Sequence, residues 1–276
     1  MSERHAGAPG QVKEVTSLAN PLVKDIKALA LKKFRDQQNA FMAEGLKLVI
    51  DALELGWSIK TLVFAKSARA NPAVEKAAAR TVATGGTVLE VSEKVLGAIT
   101  RRDNPQMVVG VFRQHFAVLK DIRPRGADVW VALDRVRDPG NLGTILRSAD
   151  AAGCDAVIVC DAVTDIFNPN VVRASTGVLF SVPIVVAEST AVHAWLKEKG
   201  IRTAATTPHT TNIYTQTDLR GPLAIVMGSE QYGLSEFWMK GADVLVRIPM
   251  AGQADSLNVA MATIITLFEA VRQRSG

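Results

Sequence analysis

Cysteine is scarce in this 276-residue chain, with only Cys154 and Cys160 present. Two thiols cannot build a disulfide framework or a four-ligand zinc site. One sits at an expected helix end and the other in an apolar strand, so packing is their expected role. Such usage fits a reducing compartment, and the chain is expected to be cytoplasmic. No run of about 18 uncharged apolar residues occurs, so no transmembrane helix is expected. The opening MSERHAGAPGQ has no hydrophobic stretch, which speaks against a secretory signal. Histidine is sparse too: His5, His115, His193 and His209 are scattered without metal-ligand spacing. There is no G-x-G-x-x-G after the first strand of the second half, no Gly-Lys-Ser/Thr and no G-x-S-x-G. These absences disfavour a dehydrogenase, a nucleotide triphosphatase, a zinc enzyme and a serine hydrolase.

Apolar material is plentiful. Hydrophobic residues make up 48% of the chain, enough for real cores, and the length suits two domains. The formal charge of +5 is unevenly spread: residues 1–124 carry 19 Lys/Arg against 12 Asp/Glu, and residues 125–276 carry 13 against 15. All of the basic excess lies in the first half. A polyanion-binding domain joined to a domain with another task would produce this pattern.

Both halves alternate strand-like and helix-like segments. Asn20-Pro21 reads as a helix start, with Leu22, Ile26, Leu29 and Lys33 at helical spacing. On this reading Lys24, Lys27, Lys32 and Arg35 spread over the exposed side of one helix. Strands are expected at 41–43, 59–65, 87–91 and 107–112, and helices after Gly45, Asn71-Pro72 and Ser92. In the second half, apolar strands are expected at 129–133, 156–159, 182–186, 201–205, 224–227 and 244–248. Helices include 189–199 and a long last one from about Leu257 to Arg272. Continuous Val/Ile/Leu strands between helices imply a parallel sheet covered on both faces, whose ligands bind beyond the carboxyl ends of the strands.

Three polar segments fall at those ends. The first runs from Leu133 to Gly143 and into a helix bearing Arg147, with Asn141 at the helix mouth. In the second, Met227-Gly228-Ser229-Glu230, a glycine permits close backbone approach beside a carboxylate. The third, Ile248-Pro249-Met250 to Ala260, brings Ser256 and Asn258 to the start of the last helix, where either suits a cap.

These three segments resemble the motifs of the SpoU (TrmH-like) RNA ribose methyltransferases of the SPOUT superfamily. D-P-x-N-x-G-x-x-x-R (Asp138 to Arg147) is similar to the first motif, M-G-x-E-x-x-G-L (Met227 to Leu234) to the second, and I-P-M…S-L-N-V-A (Ile248 to Ala260) to the third. The first half resembles that family's substrate-binding domain through N-P-x-V-K at 20–24 and E-G-x-x-L-V at 44–49. There Met107, after Pro105-Gln106, stands where the family has glycine.

The resemblance implies an α/β fold: a flexible leader (1–10), an RNA-binding α/β domain (11–113), a linker (114–127) and a parallel-sheet catalytic domain with a deep trefoil knot (128–276). It implies a homodimer that uses S-adenosylmethionine to methylate a ribose 2′-hydroxyl in RNA. Ribosomal RNA is favoured over tRNA by the N-terminal domain and by the lack of a basic extension after Arg274. The alternatives are a tRNA enzyme, a resistance-type ribosomal methyltransferase and a catalytically idle RNA-binding protein. Gly228, Ile248 and Leu257 would contact the cofactor, and Asn141, Arg147, Glu230, Ser256 and Asn258 would form the catalytic set. On chemical grounds Arg147 is expected to be a cation that binds the adjacent phosphate and stabilises the developing alkoxide, with Glu230 expected to orient it. No metal is expected. Lys24, Lys27, Lys32 and Arg35 are the expected RNA contacts.

Overall fold

A computed structural model describes residues 10–102, 104–123 and 128–275. The expected leader therefore lies outside the described residues except for Gly10, as do positions 124–127 of the expected linker. The chain divides into two compact units. The first holds the chain through His115 together with Phe167–Arg173; the second holds Phe116–Ile166 and the chain from Ala174 onward.

In the first unit, β1 (Gln11–Val15), α1 (Pro21–Ala28), α2 (Lys32–Gln38), β2 (Ala40–Glu44), α3 (Leu46–Glu54) and β3 (Ile59–Ala65) are followed by α4 (Pro72–Ala83), β4 (Thr87–Val91), α5 (Glu93–Thr100) and β5 (Val108–Arg113). The five strands order as β1-β4-β3-β5-β2. β1, β4 and β3 run parallel, whereas β5 is antiparallel to both β3 and β2. Local chemistry explains the helix starts. The side chains of Asn20 and Asn71 accept from the N–H groups of Leu22 and Ala73, and each is followed by proline at the first helical position.

One long helix from Asn20 was expected, and the structure breaks it. The chain turns at Leu29–Leu31 and restarts as α2, which changes the face that α2 presents. Arg35 consequently points inward. It is 2% exposed, and its Nη1 donates to the Leu29 carbonyl at 2.7 Å. The expectation that Arg35 lies on the solvent face fails for that reason. Lys24 is exposed, Lys27 is half-buried, and Lys32 pairs with Asp36 at 2.7 Å.

The first unit's core also recruits residues distant in sequence. Phe167 is buried and stacks on Phe41 with ring centroids 4.4 Å apart, and Trp57 meets both rings edge-on. The segment bearing it contains most of α7 (Pro169–Ala174), which begins after the first two strands of the second unit.

Those strands are β6 (Val129–Asp134) and β7 (Ala156–Cys160), separated by α6 (Pro139–Ala151). After α7 come β8 (Ile184–Ala187), α8 (Ser189–Glu198), β9 (Arg202–Thr206), β10 (Leu223–Met227), α9 (Glu236–Gly241), β11 (Val244–Val246) and α10 (Val259–Arg274). The sheet orders as β11-β9-β10-β6-β7-β8, and each neighbouring pair is parallel, as the apolar strands implied. One face packs Trp130, Trp195 and Trp238 with Ile158, Val185 and Leu196. Part of the expected linker belongs to this unit: Ala117 N–H donates to the Ile184 carbonyl, and Ile122 is buried. Both cysteines are buried free thiols, and burial raises the Cys154 pKa to about 12.

Candidate active site

Parallel register brings the ends of β6, β10 and β11 to one edge of the second sheet, with β6 and β10 adjacent. The loops leaving those strands are the three polar segments, and hydrogen bonds tie them together. Glu230 is the hub. Its Oε2 accepts from the Arg137 N–H at 2.9 Å, and its Oε1 accepts from the Asp138 N–H at 3.0 Å and from Asn141 Nδ2 at 2.9 Å. Asn141 Oδ1 in turn accepts from Asn258 Nδ2 at 2.9 Å. Asn258 completes the chain by capping α10, its Oδ1 accepting from the Ala260 N–H at 2.9 Å.

Each amide is oriented by its partner. Asp138, not Asn141, caps α6, accepting from the Asn141 N–H at 2.7 Å. That frees the Asn141 side chain to bridge the second and third segments. Partial burial raises the Glu230 pKa, but the bonds from Asn141, Arg137 and Asp138 outweigh it and hold the group below its ordinary value. Glu230 is thus ionised and acceptor-only at neutral pH.

Further contacts fix the loops. Thr164 Oγ1 donates to the Val136 and Arg137 carbonyls, both at 2.7 Å. The fully buried Asp134 carboxylate accepts from the Ser235 N–H at 2.5 Å, linking β6 to the chain beyond the second segment. Gly228 is required sterically: a Cβ there would sit 2.1 Å from the Gly233 carbonyl carbon and 2.2 Å from the Leu234 nitrogen.

Beside the hydrogen-bonded chain lies a cavity of about 450 Å³. Gly228, Ile248 and Leu257, the three expected cofactor contacts, all line it. So do Glu230, Ser256 and Asn258 of the expected catalytic set. Ser256 makes no hydrogen bond among the described residues, so its hydroxyl is uncommitted. Arg147 stands apart. It is exposed on α6, is not among the lining residues, and makes no hydrogen bond or ion pair among the described residues. The expectation that Glu230 orients Arg147 is corrected accordingly, because the three donors from the first segment occupy the carboxylate.

Sequence reasoning missed part of the wall. Thr206 ends β9, Thr207 and His209 follow it, and Met239 comes from α9. The β9 end carries no motif, and only the strand order, with β9 next to β10, places it there. Tyr232 and Arg137 were also passed over, and their side chains meet at the cavity's edge.

A model described as the SpoU rRNA Methylase family matches residues 128–268, and one described as the MRM3-like substrate binding domain matches residues 20–110. The chain is 32% identical over 257 residues to the 23S rRNA (guanosine(2553)-2′-O)-methyltransferase RlmP of Bacillus subtilis (strain 168), covering 93% of this chain and 98% of that protein. Among solved structures, the AdoMet-bound rRNA methyltransferase from Sinorhizobium meliloti is 54% identical, with a TM-score of 0.89 and coverage of 95% and 98%. The SpoU methyltransferase AviRb from Streptomyces viridochromogenes in complex with AdoMet is 32% identical, with a TM-score of 0.83 and coverage of 93% and 99%. The chain belongs to the SpoU rRNA methylase family.

Proposed function

We propose that this protein methylates a ribose 2′-hydroxyl of ribosomal RNA, 23S rRNA in particular, using S-adenosylmethionine. The carrying observation is the chain Glu230–Asn141–Asn258, whose two end residues line a cavity beyond the carboxyl edge of a parallel sheet. The cavity's volume falls in the range of small-molecule sites. Its lining suits an amphiphilic cofactor: Ile248, Leu257, Leu234 and Val259 are apolar, whereas Ser256, Thr206 and His209 are polar. RlmP supports the substrate class by name, and the AdoMet-bound structures support the cofactor.

When bound, the cofactor supplies an electrophilic methyl group on a sulfonium. The protein's part is alignment and stabilisation of the alkoxide. Glu230 and Asn258 hold the Asn141 amide in one orientation. The second N–H of each asparagine and the Ser256 hydroxyl remain available for a ribose. Alignment of this kind contributes up to about 7–11 kcal/mol in favourable models. A guanidinium holds its proton too tightly to act as a base. We therefore assign the uncommitted Arg147 to the substrate phosphate and the developing alkoxide.

The same reading gives residues 11–113 the task of RNA binding, through Lys24, Lys27 and Lys32, and residues 128–276 the catalysis. It includes the deep trefoil knot, supported by family membership, and a cytoplasmic location, supported by the two buried thiols. It also includes a homodimer. Met261 and Phe268 on α10 are 46% and 43% exposed, two large apolar side chains left facing solvent. A second copy is the occupant that family membership suggests. Sedimentation should give twice the chain mass at micromolar concentration, and Met261→Asp with Phe268→Asp should halve it.

The decisive test is a map of ribose methylation on 23S rRNA and tRNA from strains with and without the protein. One 23S position should lose its methyl group. A loss confined to tRNA, or none, would refute the assignment. Purified Arg147→Ala should lose methyl transfer and keep cofactor affinity within a few-fold.

A further inference from the structure

Tyr232 is 63% exposed, yet its backbone is firmly held. Ser229 and Gly233 exchange backbone hydrogen bonds at 2.9 and 3.0 Å, and the Tyr232 N–H donates to Ser229 Oγ at 3.3 Å. Arg137 lies against the ring, its guanidinium carbon 5.4 Å from the ring centroid. Its backbone is also fixed, by Glu230 Oε2 at the N–H and Thr164 Oγ1 at the carbonyl. Among the described residues the Arg137 guanidinium makes no hydrogen bond or ion pair, so its donors are uncommitted. The Arg137 backbone is thus held by the same carboxylate that holds Asn141, and the ring its guanidinium covers lines the cavity.

An exposed aromatic ring under a guanidinium is poor surface for a protein that needs only solubility, and it is the surface that unpaired nucleobases recognise. A ribose whose 2′-hydroxyl reaches Asn141 must place its base nearby. We propose that Arg137 and Tyr232 form a stacking platform for the base of the nucleotide being methylated, with the guanidinium also donating to an adjoining phosphate. This rests on the reading of the site as an RNA ribose methyltransferase. Stacking accepts any base, so the pair positions the nucleotide and does not choose it.

The test uses the full-length protein and unmodified 23S rRNA from a strain lacking it. Tyr232→Ala should raise the KM for RNA by about 5- to 150-fold, the range expected for loss of one base–aromatic stack. Its kcat, and its cofactor affinity by calorimetry, should stay within two-fold. Tyr232→Phe keeps the ring and should restore KM. Arg137→Gln should raise KM and lower the salt slope of RNA binding by about 0.7–0.9. The platform is refuted if Tyr232→Ala leaves RNA KM unchanged. It is equally refuted if cofactor affinity falls in parallel, which would make the ring a cover for the cofactor, or if sedimentation shows a changed assembly state. A wild-type protein that binds this RNA without methylating it would refute the ribose-methylation reading alone, and fluorescence anisotropy of the same variants would then judge the platform. If the wild type binds no RNA, both fall.

Discussion

Asn258 Nδ2 donates to Asn141 Oδ1 at 2.9 Å, joining the cap of α10 to the first turn of α6 across 117 residues of sequence. One amide thereby serves both helix and site, since the Asn258 carbonyl oxygen caps α10 while its NH₂ group holds Asn141. The site is consequently built on two helix starts and one strand-end carboxylate, a more rigid support than loops alone.

Asn141→Ala removes the middle of this chain. Glu230 keeps its two backbone donors, so the loops stay in place and stability should fall by only about 1 kcal/mol. Positioning suffers more: misplacement of a reacting group by an ångström costs on the order of 100-fold in rate. Single-turnover methylation should slow by about that factor, with cofactor affinity nearly unchanged. A rate within three-fold of the wild type would show that Asn141 has no positioning role.

Glu230 gives a pH signature. Its folded pKa lies below the ordinary 4.5, so acidification protonates the unfolded carboxyl first. The stabilisation it provides is full above that value and is lost as pH falls through the lower folded value. Glu230→Gln turns an amide toward donors that require acceptors and should melt lower than the wild type at pH 7. The gap should narrow as pH falls below the ordinary 4.5 toward the lower folded value, and melting curves across the acid range would reveal it. A constant gap would mean that the charge is irrelevant.

Much of the frame was legible in the sequence. The asparagine–proline pairs at 20–21 and 71–72 mark helix starts because side-chain caps and a preset φ act locally. Strands 59–65 and 87–91 have the expected bounds because apolar β-branched runs sit between turns. β1 was not legible: only Val15 of Gln11–Val15 is buried, so no core periodicity shows. The break between α1 and α2 was hidden because apolar spacing carries across the turn. The partners of Glu230 were hidden because they depend on β10 lying beside β6, which no local pattern encodes.

That hidden break separates two kinds of basic residue. Lys24 is exposed, Lys27 is only half-buried and the Lys32–Asp36 pair lies in solvent, so replacing the three lysines with glutamine should change melting little. RNA binding should weaken, with the slope of log K against log salt reduced by about 0.7–0.9 for each lysine that meets a phosphate. Arg35→Ala should do the reverse. It strips the donor from the buried Leu29 carbonyl, which costs about 1–3 kcal/mol, and the salt slope should hold. An Arg35 variant of native stability and reduced slope would place that side chain on the RNA after all.

Phe167 tests the composition of the first unit. Phe167 is 2% exposed and its ring packs against both Phe41 and Trp57, in a unit whose other residues run through His115 and from 168 to 173. Truncation leaves a cavity that surrounding rings fill only partly, and Phe→Ala changes of this kind cost about 3–5 kcal/mol. Phe167→Leu conserves most of the volume and should cost far less. Urea unfolding followed by Trp57 fluorescence in a variant whose other three tryptophans are phenylalanine would report on this unit. The expected result is a lower midpoint for Phe167→Ala with an unchanged slope, since the same surface is still exposed on unfolding. An unchanged midpoint would mean that the first unit is complete without the segment Phe167–Arg173, and a fragment ending at His115 should then fold as stably as the whole.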